Sequence, residues 1–260
     1  MHPILFHVSG IPVYTYGVSY MANVVLVYFL VTSRAPTHGF PAREAGISCA
    51  LGGLGVFVGG YLLYRLHQLV LGAPAVLAGQ YFLGGMALGI AAIWIYPKMK
   101  GLQPLHFSDI GLTYTIIGVA IHRTTGCFMG GCCFGIPTSL PWGVIFPSGS
   151  PAALAFGTGT PVHPTQIYES IFLLTLFIAC YVWLNHRRHH HGEVTALFII
   201  GYTLFRFFTE WLRADALTMS RIFHLTFNQW ASLVMLVIGL LLMAWSMCYG
   251  TEAKITRERA

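Results

Sequence analysis

The sequence predicts an all-α, polytopic membrane protein, and three observations lead to that prediction. Charged residues make up 8% of the 260 positions, against about a quarter in an ordinary soluble domain. Apolar residue types reach 56%, and the mean hydropathy is +0.68. The apolar runs are continuous, whereas a membrane β-barrel shows alternating strands of about 10 residues. Helices are therefore predicted to satisfy the backbone polar groups inside the bilayer.

Seven apolar segments approach the length of about 20 helical residues that crosses the hydrocarbon core. The predicted spans are 13–32, 46–66, 76–96, 108–122, 167–184, 194–212 and 227–248. The first residues lack the basic region and cleavage site of a removable signal, so the first span is expected to stay in the mature protein. With no internal repeat and no linker, we predict one transmembrane domain over 1–250, including a long loop at 123–165, and a short basic tail at 251–260.

Lysine and arginine are distributed unequally between the two sets of connecting segments. One set carries Arg34, Arg43, Lys98, Lys100, Arg187, Arg188, Lys254, Arg257 and Arg259. The other set contains Arg123 at the start of the long loop. The positive-inside rule therefore predicts an outer N-terminus and a cytoplasmic C-terminus. The net charge of +6 is assigned to anchoring at anionic lipids, and no basic helix or repeat module supports nucleic-acid binding.

Two local patterns have structural interpretations. The tract HRRHHHG at 186–192 is predicted to be a cytoplasmic stop signal between spans, with metal binding as the alternative. Spacing of the GxxxG type at Gly55/Gly59 and at Gly85/Gly89 predicts close contacts of the second and third spans.

Three charged residues lie at the end of the sixth span. Arg206, Glu210 and Arg213 are spaced at i, i+4 and i+7, which places them within about 40° of one stripe of a helix. Each charge near hydrocarbon costs at least about 2.5–3.5 kcal/mol, so pairing and a polar interior are expected. Either Glu210 neutralises both arginines as a structural staple, or the one excess arginine faces a cavity and binds a phosphate.

Two further segments carry polar residues to the same side of the membrane. Arg123 ends the fourth span, and the acids that could reach it are Glu169, Glu210 and Asp215. The segment HPTQIYE at 163–169 begins the fifth span, where Gln166 and Glu169 share a helix face. We therefore predict an outward-facing cavity that binds an anionic lipid headgroup.

These residues resemble the prolipoprotein diacylglyceryl transferase family, bacterial enzymes that move diacylglycerol from phosphatidylglycerol to a lipobox cysteine. The resemblance is carried by YTYG at 14–17, GVFVGGYLLY at 55–64, Arg123 with GCFMGG, HPTQIYE, and GYTLFRFFTEWLRAD at 201–215. It implies seven spans around a lipid cavity, with Arg123 and Arg206 on the donor phosphate. The implied substrate-binding residues are Tyr16, Gly126, Gly131, Gln166, Tyr168, Glu169, Glu210 and Arg213.

The sequence departs from the family pattern at two places. Leu83 stands where the family carries a histidine before a Gly-Gly pair, a candidate base for the incoming thiol. The expected base is therefore His163, with His122 as the alternative. In the peptide GCFMGGCC, Cys127 and Gly130 replace asparagines, and Cys132 falls at or near the position of an acid.

The three cysteines of this peptide lie on the oxidising side of the membrane in the predicted orientation. A disulfide from Cys127 to Cys132 or Cys133 is the first expectation. A zinc site and a nucleophilic thiol activated by Arg123 are the alternatives. We expect neither a cofactor nor a resident metal ion.

The predicted function is transfer of a diacylglyceryl group from phosphatidylglycerol to a cysteine thiol of a lipoprotein precursor, or a closely related phospholipid-dependent transfer. The expected partners are phosphatidylglycerol, a precursor peptide with a lipobox cysteine, and membrane lipids, for a monomer in the bacterial inner membrane. One alternative is a non-catalytic phospholipid-binding or lipid-transport protein. Another is a membrane thiol-disulfide oxidoreductase that uses Cys127, Cys132 and Cys133, although no C-x-x-C motif supports it.

Overall fold

A computed structural model describes residues 1, 4–71, 78–186, 189–217 and 221–251. Arg187, Arg188 and the predicted basic tail from residue 252 onward lie outside the described residues, and so does the side chain of Leu83.

Each of the seven apolar segments contains a helix, which confirms the predominantly helical fold. The long helices are α1 (Thr15–Arg34), α2 (Ala42–Leu71), α3 (Ala78–Met99), α4 (Pro104–His122), α6 (Thr165–His186), α7 (Glu193–Thr209) and α8 (Phe227–Tyr249), and a short α5 (Pro151–Phe156) lies in the long loop. Three two-stranded antiparallel sheets pair β1 (Ile4–Val8) with β2 (Ile11–Tyr14), β3 (Val144–Ile145) with β4 (Pro161–Val162), and β5 (Arg221–Ile222) with β6 (Leu225–Thr226).

Five of the described helical stretches are long and apolar enough to cross a membrane. They are Thr15–His38, Ala42–Leu66, Pro104–Phe128, Thr165–Asn185 and Phe227–Tyr249. The apolar part of α3 described by the structure, Ala87–Met99, is shorter, and α7 has 17 residues. The polytopic architecture is therefore supported, whereas the crossing by all seven helices and the orientation stay predictions.

Large apolar side chains remain exposed along the long helices. On α8, for example, Leu241 is 65% exposed and Met247 is 63% exposed. On α1, Val25 is 64% exposed and Phe29 is 67% exposed. Apolar helix faces of this size need a nonpolar environment, which the hydrocarbon of a bilayer provides.

Glycines allow α2 and α3 to pack closely, as their spacing predicts. A Cβ atom at Gly55 would lie 2.8 Å from the backbone oxygen of Leu88. A Cβ atom at Gly85 would lie 2.6 Å from the backbone oxygen of Val56. These two helices approach each other through positions where a side chain has no room.

The buried carboxylate of Asp109 joins α4 to the start of α7. Its Oδ2 accepts a hydrogen bond of 2.7 Å from the backbone N–H of Gly192. Its Oδ1 accepts from the backbone N–H and the hydroxyl of Thr195, at 2.8 and 2.6 Å. Because α4 and α7 run in the same direction from this contact, the end of α4 and the end of α7 lie at the same end of the bundle.

The long loop folds back over that end of the bundle. Gly135 forms an isolated β-bridge with Arg213, and Pro137 forms one with Val162. The backbone N–H of Ile136 donates to the carbonyl of Leu212 at 2.9 Å. The loop therefore ties the beginning of α6 to the segment that follows α7.

Candidate functional site

The fourth span does not stop at His122 but continues into one turn of π-helix, Arg123–Phe128. Turns of π-helix are rare and frequently occur at functional sites. Gly126 is required in this turn, because a Cβ atom there would lie 2.4 Å from Cε1 of the His122 ring. The π-helical turn directs Arg123 toward Cys127, whose sulfur lies 3.6 Å from Nη1 of the guanidinium.

Arg123 forms a buried ion pair with Glu169, as one of the three sequence-based options predicts. Nη2 of Arg123 lies 2.9 Å from Oε1 of Glu169. The hydroxyl of Tyr202 on α7 donates to the same carboxylate oxygen at 2.9 Å. Nε of Arg123 is buried and has no hydrogen-bond partner among the described residues. One N–H of this guanidinium is therefore not used by any described protein group.

Arg206 lies one helical turn after Tyr202 on α7. Its Nη2 lies 2.7 Å from Oε2 of Glu210. Glu210 is 1% exposed, and its Oε1 accepts hydrogen bonds from Thr226 Oγ1 at 3.0 Å and Asn228 Nδ2 at 2.9 Å. Residues four apart on a helix are neighbours, and both guanidinium groups are close enough to the Tyr202 hydroxyl to act on it electrostatically. Arg123 and Arg206 therefore belong to one site.

The expectation that Arg213 continues the stripe of Arg206 and Glu210 is wrong. α7 ends at Thr209, a turn of 3-10 helix follows at Glu210–Leu212, and Arg213 has extended backbone angles. Its guanidinium forms a bidentate pair with Asp215, with nitrogen-to-oxygen distances of 2.9 and 2.7 Å. The prediction that one arginine lacks an acidic partner is also wrong. Arg123, Arg206 and Arg213 each pair with a separate carboxylate.

Asp215 stabilises the charge of the buried Arg213 guanidinium. Burial alone would lower the pKa of this guanidinium, but the hydrogen bonds and the charge of Asp215 outweigh it, and the Cys133 sulfur adds to the effect. The pKa of Arg213 therefore lies above its ordinary value. A permanent positive charge stands beside Cys133 as a result.

The cysteine peptide is held against the beginning of α6. The side-chain N–H of Gln166 donates to the Cys132 carbonyl, and the hydroxyl of Thr165 donates to the Cys133 carbonyl, both at 2.6 Å. Gly131 and Cys133 have φ values of +73° and +60°, a region that non-glycine residues enter uncommonly. Oε1 of Gln166 is buried without a hydrogen-bond partner among the described residues.

Cys127, Cys132 and Cys133, called the thiol cluster below, are free thiols whose sulfur atoms lie within 4.8 Å of one another. Hydrogen bonds from Cys127 and Cys132, followed by the charges of Arg213 and Arg123, lower the pKa of Cys133. Hydrogen bonds with Cys127 and Cys133 raise the pKa of Cys132. The sulfur of Cys133 is therefore the preferred position for negative charge in the thiol cluster.

The two candidate bases have different surroundings. Nδ1 of His163 lies 3.2 Å from the hydroxyl of Tyr168, which accepts a hydrogen bond of 2.8 Å from Trp142. Nδ1 of His122 lies 3.1 Å from Ser19 Oγ, while its Nε2 is buried without a partner among the described residues. His122 directly precedes Arg123 and has one ring nitrogen without a partner among the described residues, whereas Nδ1 of His163 is paired with Tyr168.

The remaining predicted contact, Tyr16, lies beside His122. The two rings pack edge to face with their centroids 4.8 Å apart. Along α1, the helix that carries Tyr16, an open apolar groove of about 800 Å³ is lined by residues that include Tyr14, Gly17 and Met21. None of the predicted polar residues lines this groove.

Sequence reasoning missed the residues that connect the charged groups. Tyr202 joins Glu169 to α7, and Thr226 and Asn228 hold Glu210. The spacing of Tyr202 four residues before Arg206 is a signal for the first of these. No local pattern points to Thr226 and Asn228, since they reach Glu210 only through the packing of α8 against α7.

Fold and site together define a polytopic helical membrane protein with buried arginine–carboxylate pairs at one end of its bundle. A sequence profile of the prolipoprotein diacylglyceryl transferase family matches residues 3–245. The chain belongs to this family.

Individual relatives agree with the profile over nearly the whole chain. The phosphatidylglycerol–prolipoprotein diacylglyceryl transferase of Clostridium tetani is 30% identical over 248 residues, which cover 92% of this chain and 96% of the relative. The enzyme of the same name from Cupriavidus pinatubonensis is 30% identical, with 99% and 95% covered. That of Idiomarina loihiensis is 29% identical, with 93% and 91% covered.

Proposed function

We propose that this protein transfers the diacylglyceryl group of phosphatidylglycerol to a cysteine thiol of a lipoprotein precursor. The observation that carries the proposal is the connection from Arg123 through Glu169 and Tyr202 to α7, one turn before Arg206. It joins two guanidinium groups from different helices at one site. The names of the relatives supply the donor and the acceptor class.

In the reaction, the acceptor sulfur attacks the glycerol carbon and the bond from that carbon to the phosphate oxygen breaks. Negative charge grows on the departing glycerol phosphate. Guanidinium groups directed at this charge stabilise the transition state electrostatically. Arg123 and Arg206 take this role, because a guanidinium has five N–H donors and each carboxylate contact above uses one nitrogen.

The carboxylates have a supporting role in this proposal. Glu169 and Glu210 hold the two guanidinium groups in place and reduce the cost of burying them without a lipid. Tyr16, Gln166 and Tyr168 belong to the substrate-binding surface, together with the glycines of the π-helical turn and of the cysteine peptide. The acyl chains of the donor lie along the apolar groove of α1. His122, rather than His163, is the proposed proton acceptor.

The proposal includes a membrane arrangement. The seven long helices cross a bacterial inner membrane around an outward-facing lipid cavity, with the N-terminus outside and a basic tail at 251–260 inside. The excess of basic residues at the opposite end from Arg123 supports this orientation. The arginine site then lies toward the outer leaflet, where a precursor peptide reaches it after its export. The protein acts as a monomer.

The test uses the purified protein in vesicles that contain phosphatidylglycerol, with a synthetic lipobox peptide. Mass spectrometry should show the peptide gaining one diacylglyceryl group and the release of glycerol phosphate. Arg123→Ala and Arg206→Ala should abolish both signals. Arg43→Ala is the matched control, because Arg43 is an exposed arginine at the opposite end of the bundle.

Two outcomes would contradict the proposal. Full transfer by both arginine variants would show that the guanidinium groups have no part in the chemistry. Retention of bound phosphatidylglycerol without any glycerol phosphate would instead indicate a lipid-binding or lipid-transport protein.

A further inference from the structure

The thiol cluster is the one group of metal-ligating side chains that the described residues bring together at this distance. A tetrahedral zinc site with bonds of about 2.3 Å from metal to sulfur needs sulfurs separated by about 3.8 Å. The three sulfurs already lie within 4.8 Å of one another. A disulfide, with its bond of about 2.0 Å, would use two of them and leave the third unexplained.

The backbone holds the three sulfurs in this arrangement from both sides. Cys127 belongs to the π-helical turn, and its carbonyl accepts the backbone N–H of Cys132 at 3.1 Å. The carbonyls of Cys132 and Cys133 are bonded to Gln166 and Thr165 of α6. The convergence of the sulfurs is therefore built into the fold and does not depend on a flexible loop.

The surroundings fit the charge of a metal–thiolate centre. Three thiolates and one divalent zinc ion carry a net charge of −1. Nη1 of Arg123 donates to the sulfurs of Cys127 and Cys133 at 3.6 and 3.9 Å, and the charge of Arg213 is close enough to Cys133 to act on it electrostatically. N–H groups that donate to ligating atoms are the usual outer contacts of such centres and tune the bound metal.

We infer that Cys127, Cys132 and Cys133 bind a zinc ion with its fourth position open, and that the acceptor thiol occupies this position. The group of described metal-ligating residues contains three sulfurs and no fourth cysteine, histidine or carboxylate. Three protein ligands and an open position are characteristic of catalytic zinc, whereas structural zinc is closed by four. The role for the acceptor rests on the proposed function.

A metal at this position would prepare the acceptor for attack. A cysteine thiol has a pKa of about 8.5 and is deprotonated when it coordinates zinc. Its proton passes to His122 or to water. The sulfur then forms the bond to the glycerol carbon, and the electron pair of the breaking carbon–oxygen bond goes to the phosphate oxygen. Arg123 contacts both the thiol cluster and Glu169, so the activated sulfur lies beside the proposed phosphate position.

The first experiment measures metal binding alone. Protein purified under reducing conditions and incubated with zinc should retain about one zinc ion per chain by elemental mass spectrometry. Cys127→Ala, Cys132→Ala and Cys133→Ala should each lose more than nine tenths of it. Cys248→Ala is the matched control, because Cys248 is an exposed free thiol on α8, and it should retain the metal.

Cobalt substitution tests the site in the unaltered protein, so that the result does not depend on the folding of a variant. Cobalt(II) bound by three thiolates should show a sulfur-to-metal charge-transfer absorption. A lipobox peptide should change this absorption, and the same peptide with serine in place of cysteine should leave it unchanged. Any one of three results would overturn the inference. These are the absence of a cobalt signal, retention of zinc by the three cysteine variants, and a purified chain that is lighter by two hydrogen masses because of a disulfide.

Activity measurements separate this inference from the proposed function. Removal of zinc by a chelator should abolish diacylglyceryl transfer, and added zinc should restore it while magnesium should not. Full transfer by the metal-free protein would overturn the inference and leave the proposed function intact. Zinc binding without transfer in any preparation would contradict the proposed function and, with it, the role of the metal in activating the acceptor.

Discussion

The buried pair of Arg123 and Glu169 provides the sharpest test of whether the arginines act on a lipid or only fasten helices together. We compare Arg123→Gln with Glu169→Gln. Each change removes one charge of the pair and leaves a side chain that can still form hydrogen bonds, although glutamine is shorter than arginine and equal in size to glutamate. If the pair is purely structural, the two changes should reduce transfer equally. If the guanidinium is catalytic, Arg123→Gln should reduce transfer far more than Glu169→Gln.

The structure sets the expected loss of stability. Breaking a buried ion pair on one side costs about 3–5 kcal/mol. The Arg123 side chain is 21% exposed, and Glu169 keeps the hydrogen bond from Tyr202, so we expect the lower end, about 3 kcal/mol, for both variants. For a chain of this size, that corresponds to a decrease in melting temperature of about 6–12 °C.

The expected activities differ between the two variants. Arg123→Gln loses a group that stabilises the developing phosphate charge, so transfer should fall by about 10²–10³. Glu169→Gln retains the guanidinium, so transfer should stay within about tenfold of the unaltered protein. Transfer is measured by peptide mass spectrometry at a temperature well below both melting temperatures. Stability is measured by thermal unfolding in detergent. Thr175→Ala, at an exposed position of α6, is the control. Equal losses of transfer, in proportion to stability, would refute the reasoning.

Two further predictions concern the π-helical turn and the histidines at the other end. Gly126→Ala should abolish transfer and lower the melting temperature, because its Cβ would collide with the His122 ring. Gly53→Ala is the control and should be tolerated, because a Cβ there lies in open space. An active, stable Gly126→Ala protein would contradict this prediction. Burial, followed by the charges of neighbouring histidines, lowers the pKa of His191 from 6.5 to about 4. The unfolded chain therefore binds more protons between these pH values, so the melting temperature should fall as pH decreases from 6.5 to 4. His191→Gln should weaken this dependence and His7→Gln, at an exposed position, should leave it unchanged; an unaltered dependence in His191→Gln would contradict the assignment.

The long helices could be predicted from the sequence because apolar length is a local property. The segment predicted at 227–248 is the helix Phe227–Tyr249, and the segment at 167–184 is the helix Thr165–His186. The glycine spacing predicted the close contact of α2 and α3 for the same reason, since a missing side chain is visible without knowledge of the fold. Gly55 and Gly85 do lie at that contact.

The charge pairs could be predicted only in part. A buried arginine needs an acid, so the sequence narrowed the partner of Arg123 to three candidates, and Glu169 was one of them. The position of Arg213 was predicted wrongly, because a stripe of residues spaced at 100° assumes that the helix continues as far as Arg213. The 3-10 turn at Glu210–Leu212 ends that regularity and turns Arg213 toward Asp215.

The sequence by itself determined which segments are helical and apolar, and which residue types carry charge and sulfur to one end of them. Only the tertiary structure decided that Arg123 shares a carboxylate with Tyr202 and that three sulfurs converge within 4.8 Å. The physical reason is that hydrophobic periodicity acts over neighbouring residues. Partners far apart in the chain are chosen by how α4, α6 and α7 pack and by where each of them ends.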